Sequence, residues 1–343
     1  MNKRIYIYSP SGAVRDKAAF KRGVARLESL GHEVEVDEAA LASHLRFAGD
    51  DETRLAAIHR ACASGADVAL ISRGGYGLSR ILPGIRYKAV AKAIDQGLRF
   101  VGISDFTAFQ SAVLAKTGRV TWAGPALCEG FGVGCKAGAG SVQVTPPALV
   151  PDDIMEACFD DLISGQGEGA GWRQLREPHS RAIGAAPAAS IETNLIGANS
   201  ISTGDTASFG INKSILWGGN LSLLCSLLGT PYFPAVKGGI LFLEDVAEHP
   251  YRIERMLTQL LHAGVLARQK AILLGQFTDF KLVPHDRGYK LQTVVNWLRQ
   301  QIKAPVLTNL PYGHVATKVL LPVGAKTDLM VQGRDALLFW GHA

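Results

Sequence analysis

Short apolar runs alternate with stretches of helical period through the first third of the chain. Residues 5–8 form one such run, and over residues 16–30 Phe20, Val24, Leu27 and Leu30 recur at spacings of four and three, on one helix face that stops at Gly31. Residues 33–36 return as a strand. Residues 67–72 (DVALIS) and 99–104 (RFVGIS) are compact apolar runs of the kind found in buried parallel strands, each followed by a turn and a helical stretch. The alternation predicts a parallel βαβ sheet with right-handed crossovers.

From Pro146 to about Phe209 the pattern dissolves into Pro-Pro, the run Gly165-Gln166-Gly167-Glu168-Gly169 and an Ala/Ser/Thr-rich stretch. That composition predicts a linker with an insertion. Periodicity resumes at residues 221–228, followed by a strand at 239–244 and a helix at 250–262 with Ile253, Met256, Leu257 and Leu260 on one face. A strand at 271–275, a helix at 289–302 and strand-like pieces at 306–309, 318–321 and 337–340 complete the reading. The fold class is α/β in two domains with a cleft between them: residues 1–145, a linker and insertion over 146–209, and residues 210–343.

Composition agrees with that division. The chain has 343 residues, 47% hydrophobic and 19% charged, with 38 Gly and 15 Pro, which is a globular balance. The net charge of +6 comes from Lys and Arg scattered among Asp and Glu, so no footprint for nucleic acid is visible. No stretch has the roughly 18 apolar residues a membrane span needs. The start, Met1-Asn2-Lys3-Arg4, is basic, but its apolar run is too short for a signal peptide, and a cytoplasmic location is the expectation. Five cysteines, Cys62, Cys128, Cys135, Cys158 and Cys225, lie far apart with no C-x-x-C pair and read as reduced, mostly buried thiols.

Ser104 closes the apolar run 100–103 and opens a helical stretch, with Gly102 two residues before it. This is half of a nucleophile elbow, in which small neighbours let a hydroxyl protrude beside a helix N-terminus; the second Gly of G-x-S-x-G is replaced by Phe106. The same corner also has the form of an ordinary N-cap, Ser then Asp at a helix start. Ser72-Arg73-Gly74-Gly75-Tyr76-Gly77 follows another buried strand and can present backbone N–H groups to an oxyanion or phosphate, or be simply a tight turn. It lacks the third glycine of a dinucleotide fingerprint, where Arg80 stands.

A serine nucleophile needs a base and the base an orienting acid. Of nine histidines, His314 stands out, in a turn after Pro311-Tyr312-Gly313 between apolar stretches. Glu244 ends the apolar run 240–243, at the strand end where α/β proteins keep their sites; Asp245 and Glu248 are alternative acids. No H-E-x-x-H, Cys/His cluster or carboxylate trio at ligand spacing is present, so neither metal nor cofactor is expected.

Six ordered motifs together resemble the LD-carboxypeptidase (muramoyltetrapeptide carboxypeptidase) family. They are Tyr8-Ser9-Pro10-Ser11-Gly12, Arg73-Gly74-Gly75-Tyr76-Gly77, Gly102-Ile103-Ser104-Asp105-Phe106-Thr107, Trp217-Gly218-Gly219-Asn220-Leu221, Leu241-Phe242-Leu243-Glu244-Asp245 and Gly313-His314. The resemblance implies an N-terminal Rossmann-like domain and a C-terminal α/β domain with the active site at their interface. It implies a triad of Ser104 as nucleophile, His314 as general base and acid, and Glu244 orienting the imidazole, with the backbone N–H groups of Gly75 and Asp105 as oxyanion hole. It also implies a homodimer, no metal, and release of terminal D-alanine from murein tetrapeptide in peptidoglycan recycling. Gln110 stands where many relatives carry a histidine, and the segment from about residue 162 to 208 is longer than in compact members.

A carboxypeptidase must also bind a terminal carboxylate, for which Arg73, Arg80, Lys237 and Arg252 are candidates. Two other readings stay open. One is a peptidase resembling the microcin-immunity enzymes, acting on peptidyl or aminoacyl nucleotides, which would want an aromatic platform in the insertion, where Trp172 is the only tryptophan. The other is a non-catalytic two-domain ligand-binding protein.

Overall fold

The computed structural model describes residues 2–134, 150–175 and 208–341. In chain order the first elements are β1 (Arg4–Tyr8), α1 (Lys17–Ser29), β2 (Glu33–Val36), α2 (Asp51–Ala63), β3 (Val68–Ile71), α3 (Leu78–Ile81), α4 (Tyr87–Asp95), β4 (Arg99–Gly102), α5 (Phe106–Thr117) and β5 (Thr121–Ala123). Then come α6 (Asp153–Ser164), β6 (Gly169–Arg173), β7 (Ser208–Asn220), α7 (Leu221–Leu227), β8 (Ile240–Val246), α8 (Pro250–His262) and β9 (Ala271–Thr278). The chain closes with α9 (Leu291–Gln301), β10 (Val306–Leu307), β11 (Leu321–Val323), β12 (Lys326–Gln332) and β13 (Asp335–Phe339).

The first sheet has the order β11-β5-β4-β3-β1-β2, and all its pairings are parallel except that of β11 with β5. Strand order reverses between β1 and β3, so the turns that leave these two strands diverge there, and such a switch point is where open α/β sheets form a crevice. Ile5, Ile7, Val68, Leu70 and Val101 point to one face, against Phe20 and Leu27 of α1 and Met155, Phe159 and Leu162 of α6. Tyr6, Tyr8, Ala69, Ile71 and Phe100 point to the other, in a core shared with the second sheet. Strands buried on both faces explain why these runs read as continuously apolar.

The second sheet has the order β10-β9-β8-β7-β12-β13-β6. From β10 to β7 it is parallel, and from β7 through β12 and β13 to β6 it is antiparallel. Helix α5 lies between the two sheets. Every residue from Phe106 to Leu114 is buried, so the helix has no polar face, as expected for a helix enclosed on all sides.

Besides containing α2, β5 and β12, which the sequence reading left unassigned, the structure departs from it at three further places. Residues 153–164 and 169–173, read as part of a patternless linker and insertion, form α6 and β6, because Met155, Phe159 and Leu162 do keep a helical spacing that the neighbouring glycines obscured. Residues 318–321, read as a strand, start too early: the strand is Leu321–Val323, and it crosses back to pair with β5 of the first sheet. Strand β7 was not predicted, because its alternation breaks at Lys213, whose φ of 47° marks a bulge where the ladder to β12 shifts register. The rest of the long segment, residues 176–207, and Cys135 lie outside the described residues.

Candidate active site

Strand β4 ends at Gly102, and the backbone turns sharply before α5 begins. Ser104 occupies that turn with φ 67°, a left-handed conformation that costs a non-glycine residue about 1–3 kcal/mol. An N-cap residue sits in the extended region and lends its side chain to the first turn. Ser104 does neither: Asp105 holds the cap position, and Ser104 Oγ makes no hydrogen bond among the described residues. The strain of an elbow is present and the N-cap alternative is not.

The glycines around Ser104 make room for that geometry. A Cβ on Gly102 would meet Phe106 Cδ1 at 2.6 Å, so the small residue before the serine accommodates the Phe106 ring that replaces the elbow's second glycine. A Cβ on Gly74 would meet Ser104 Cβ at 2.7 Å and Oγ at 3.0 Å. The turn after β3 is therefore packed directly on the serine. Gly74 accepts a hydrogen bond at its carbonyl from Gly12 N–H at 3.1 Å, tying the turns after β1 and β3 together at the switch point. Gly75 follows with φ 116°, open to glycine alone, and neither its N–H nor that of Asp105 has an acceptor among the described residues.

Asp105 braces this corner from behind. Its fully buried carboxylate accepts from Ser11 Oγ, and from Leu78 N–H at 2.9 Å, so three turns share one anchor. Burial pushes its pKa up, against the opposing pull of those two bonds and of Arg54.

The second sheet supplies a carboxylate and an imidazole. Asn220 and Glu244 are register partners at the carboxyl ends of β7 and β8, so their side chains lie side by side. Glu244 is fully buried; Oε2 is 2.8 Å from His314 Nδ1, and Oε1 accepts from Asn220 Nδ2 at 3.1 Å. His314 rides on the crossover from β10 in the second sheet to β11 in the first. This segment is held to β9 by bonds from Leu310 N–H to Leu274 O at 3.1 Å and from Gln276 N–H to Tyr312 O at 2.8 Å. Burial of the ring opposes protonation, but the hydrogen bond to Glu244 and its negative charge outweigh that and hold the His314 pKa above the ordinary value. Ring nitrogen Nε2 has no partner among the described residues.

The other candidate acids are engaged elsewhere. Asp245 accepts from Ser222 Oγ at 2.6 Å and Ser222 N–H at 2.9 Å, and Glu248 pairs with Arg252 at 3.7 Å. Asn220, which the sequence reading quoted in a motif without a role, joins the halves: its backbone N–H donates to Thr107 Oγ1 of α5 at 3.0 Å while its amide holds Glu244. The structure thus brings Glu244 and His314 into contact and links them through Asn220 to the helix behind Ser104, while no hydrogen bond joins Ser104 to His314. Trp172 is buried in the second sheet, with Nε1 donating to Thr308 O at 3.1 Å, and cannot serve as a stacking platform.

Two sheets that meet with these polar groups gathered at the carboxyl ends of parallel strands define a mixed α/β protein built in two halves. The chain belongs to the LD-carboxypeptidase family, whose N-terminal domain matches residues 5–124 and whose C-terminal domain matches residues 213–329. It is 29% identical over 313 residues to the probable murein peptide carboxypeptidase of Bacillus subtilis, covering 91% of this chain and 84% of that one. It is also 29% identical over 260 residues to the microcin C7 self-immunity protein MccF of Escherichia coli, covering 74% and 68%. Among solved structures, the muramoyltetrapeptide carboxypeptidase of Oxalobacter formigenes superposes with a TM-score of 0.74 at 33% identity, covering 98% of both chains.

Proposed function

We propose that this hydrolase is a metal-independent serine carboxypeptidase that releases the terminal D-alanine of murein tetrapeptide by cleaving its L,D bond, in peptidoglycan recycling. The observation that carries the reading is the 2.8 Å contact between His314 and the buried Glu244, which Asn220 ties to the helix that follows the left-handed turn of Ser104.

In the mechanism, Glu244 fixes the imidazole with its proton on Nδ1, which leaves Nε2 to take the proton of Ser104 Oγ as the oxygen attacks the peptide carbonyl. The N–H groups of Gly75 and Asp105, the latter at the start of α5, stabilise the oxyanion. Collapse of the tetrahedral intermediate breaks the C–N bond, and His314 gives its proton to the departing amine. Water then enters, His314 takes its proton, and the acyl ester on Ser104 is hydrolysed to regenerate the serine. The same reading carries a cytoplasmic site of action and a homodimer, the latter checked by sedimentation.

The experiment is incubation with L-Ala-γ-D-Glu-meso-diaminopimelate-D-Ala and mass spectrometry for loss of one alanine. Wild type releases D-alanine and Ser104→Ala does not; cleavage that persists in Ser104→Ala overturns the mechanism. The relative named as a microcin immunity protein makes an aminoacyl nucleotide the alternative substrate to run in parallel. The buried position of Trp172 and the lack of any Trp, Tyr or Phe between residues 173 and 208 weigh against it.

A further inference from the structure

Lys318 is 3% exposed, and among the described residues its ammonium has neither a carboxylate at ion-pair distance nor a hydrogen-bond acceptor. The residue is buried but its ammonium keeps some contact with solvent, so the cation is partly desolvated, open to a ligand and favoured by an anionic partner. Glu129, Glu244 and Asp152 favour its protonated form, against the larger effect of burial, which leaves its pKa lowered. Lys318 in turn acts on His314 and on Glu129. Val319 N–H donates to Pro311 O at 2.8 Å, which closes the crossover into a loop that carries both His314 and, four residues after it, Lys318.

The other cations considered for a substrate carboxylate are committed or misplaced. Arg73 donates to Ala13 O at 3.1 Å and pairs with Glu129 at 3.6 Å; Arg80 pairs with Asp51 at 3.0 Å, and Arg252 with Glu248 at 3.7 Å. Lys237 precedes β8, at the end of the strand opposite Glu244. Lys318 was absent from those candidates because nothing local in Ala316-Thr317-Lys318-Val319 distinguishes a buried lysine from a solvated one.

We propose that Lys318 receives the free carboxylate at the end of the substrate peptide and so restricts the enzyme to the terminal bond. The proposal rests on the carboxypeptidase reading above. In that reaction His314 protonates the nitrogen of the leaving residue, and the terminal carboxylate is two bonds from that nitrogen, so a cation that binds it must stand next to His314. Lys318 does. A peptide with a neutral end would leave the buried ammonium unpaired, and sites built around a charge discriminate strongly against ligands that lack its partner.

The test compares the tetrapeptide with its C-terminal carboxamide, using wild type and Lys318→Gln. Wild type prefers the free acid on the order of 10²-fold or more in kcat/KM, and Lys318→Gln loses that preference by slowing on the acid while its rate on the amide changes little. Retention of the wild-type preference in Lys318→Gln overturns the proposal, as does equal cleavage of acid and amide by wild type. Lys318→Met, apolar and similar in length, replaces the glutamine variant if that one does not fold. Where wild type cleaves neither peptide, the carboxypeptidase reading falls, and the carboxylate site is judged separately by calorimetry on Ser104→Ala with N-acetyl-D-alanine and N-acetyl-D-alaninamide. Binding that favours the acid in Ser104→Ala and loses that bias in Ser104→Ala/Lys318→Gln supports the site; equal binding of both ligands overturns it.

Discussion

Replacing Glu244 by Gln changes few atoms and one count, the number of acceptors. The carboxylate receives two donors, His314 Nδ1–H on Oε2 at 2.8 Å and Asn220 Nδ2–H on Oε1 at 3.1 Å. Glutamine offers one oxygen and one NH2, so in either flip an amide N–H confronts a donor. If the NH2 faces His314, the ring must present a bare Nδ1 and carry its proton on Nε2, where it can no longer accept from Ser104. If it faces Asn220, a buried N–H goes unpaired and the anchor to Thr107 loosens. Loss of the correct tautomer in comparable sites lowers kcat by about 10²- to 10⁴-fold, which is about 2.7–5.5 kcal/mol of barrier. A second signature concerns pH. In the proposed mechanism His314 acts as base when neutral, so the rate should climb as pH rises through its pKa, which Glu244 now holds above the ordinary value. Without that charge, burial dominates and the pKa falls, so the acid limb of kcat/KM moves to lower pH while the plateau drops. The assay is D-alanine release from pH 5 to 9 on both proteins, with KM expected to change little. A wild-type rate in Glu244→Gln, or an acid limb that stays in place, refutes the assignment.

Gly74→Ala places a methyl 2.7 Å from Ser104 Cβ, so kcat should fall by about 10²-fold from displacement of the hydroxyl, with a melting temperature only modestly lowered; unchanged turnover would show that the turn gives way instead. Asn220→Asp sets a third carboxylate where an amide now bridges Glu244 at 3.1 Å and Asp245 at 3.0 Å. It should cost about 3 kcal/mol or more in urea unfolding at neutral pH, and an unchanged midpoint would count against the bridge. Asp37 accepts from Tyr6 OH at 2.5 Å and from Arg60 at 2.7 and 2.9 Å; burial opposes its ionisation, but these bonds prevail and hold its pKa below the ordinary value. Its contribution is therefore present above the unfolded pKa of about 3.9 and lost as pH falls through the lower folded value, so Asp37→Asn, about 2 kcal/mol less stable at pH 7, should converge with wild type in strong acid. A stability gap that persists at pH 2 would contradict that. Chelators should leave D-alanine release unchanged.

The sequence by itself determined the parallel βαβ character of the first sheet. Its strands are buried on both faces, so runs such as 67–72 and 99–104 stand out without any partner being known, and α1 and α8 show their apolar faces because one side of each meets solvent. It also singled out Ser104, Glu244 and His314 as residues to place, through motifs in a fixed order. Other features were hidden for a common reason. Strand β7 is broken by a bulge and α6 lies among glycines, so neither shows its period, whereas α5 was read as a helix although it is enclosed on every side. The contact of Glu244 with His314, the amide of Asn220 that ties it to α5, and the return of β11 to the first sheet all join residues distant in sequence, which no local pattern records. Only the tertiary structure decided that Ser104 is strained and does not cap its helix, and that Lys318 is buried without a partner. Backbone conformation and burial are properties of the packed chain, and the same residues in a different packing would be an N-cap and a solvated lysine.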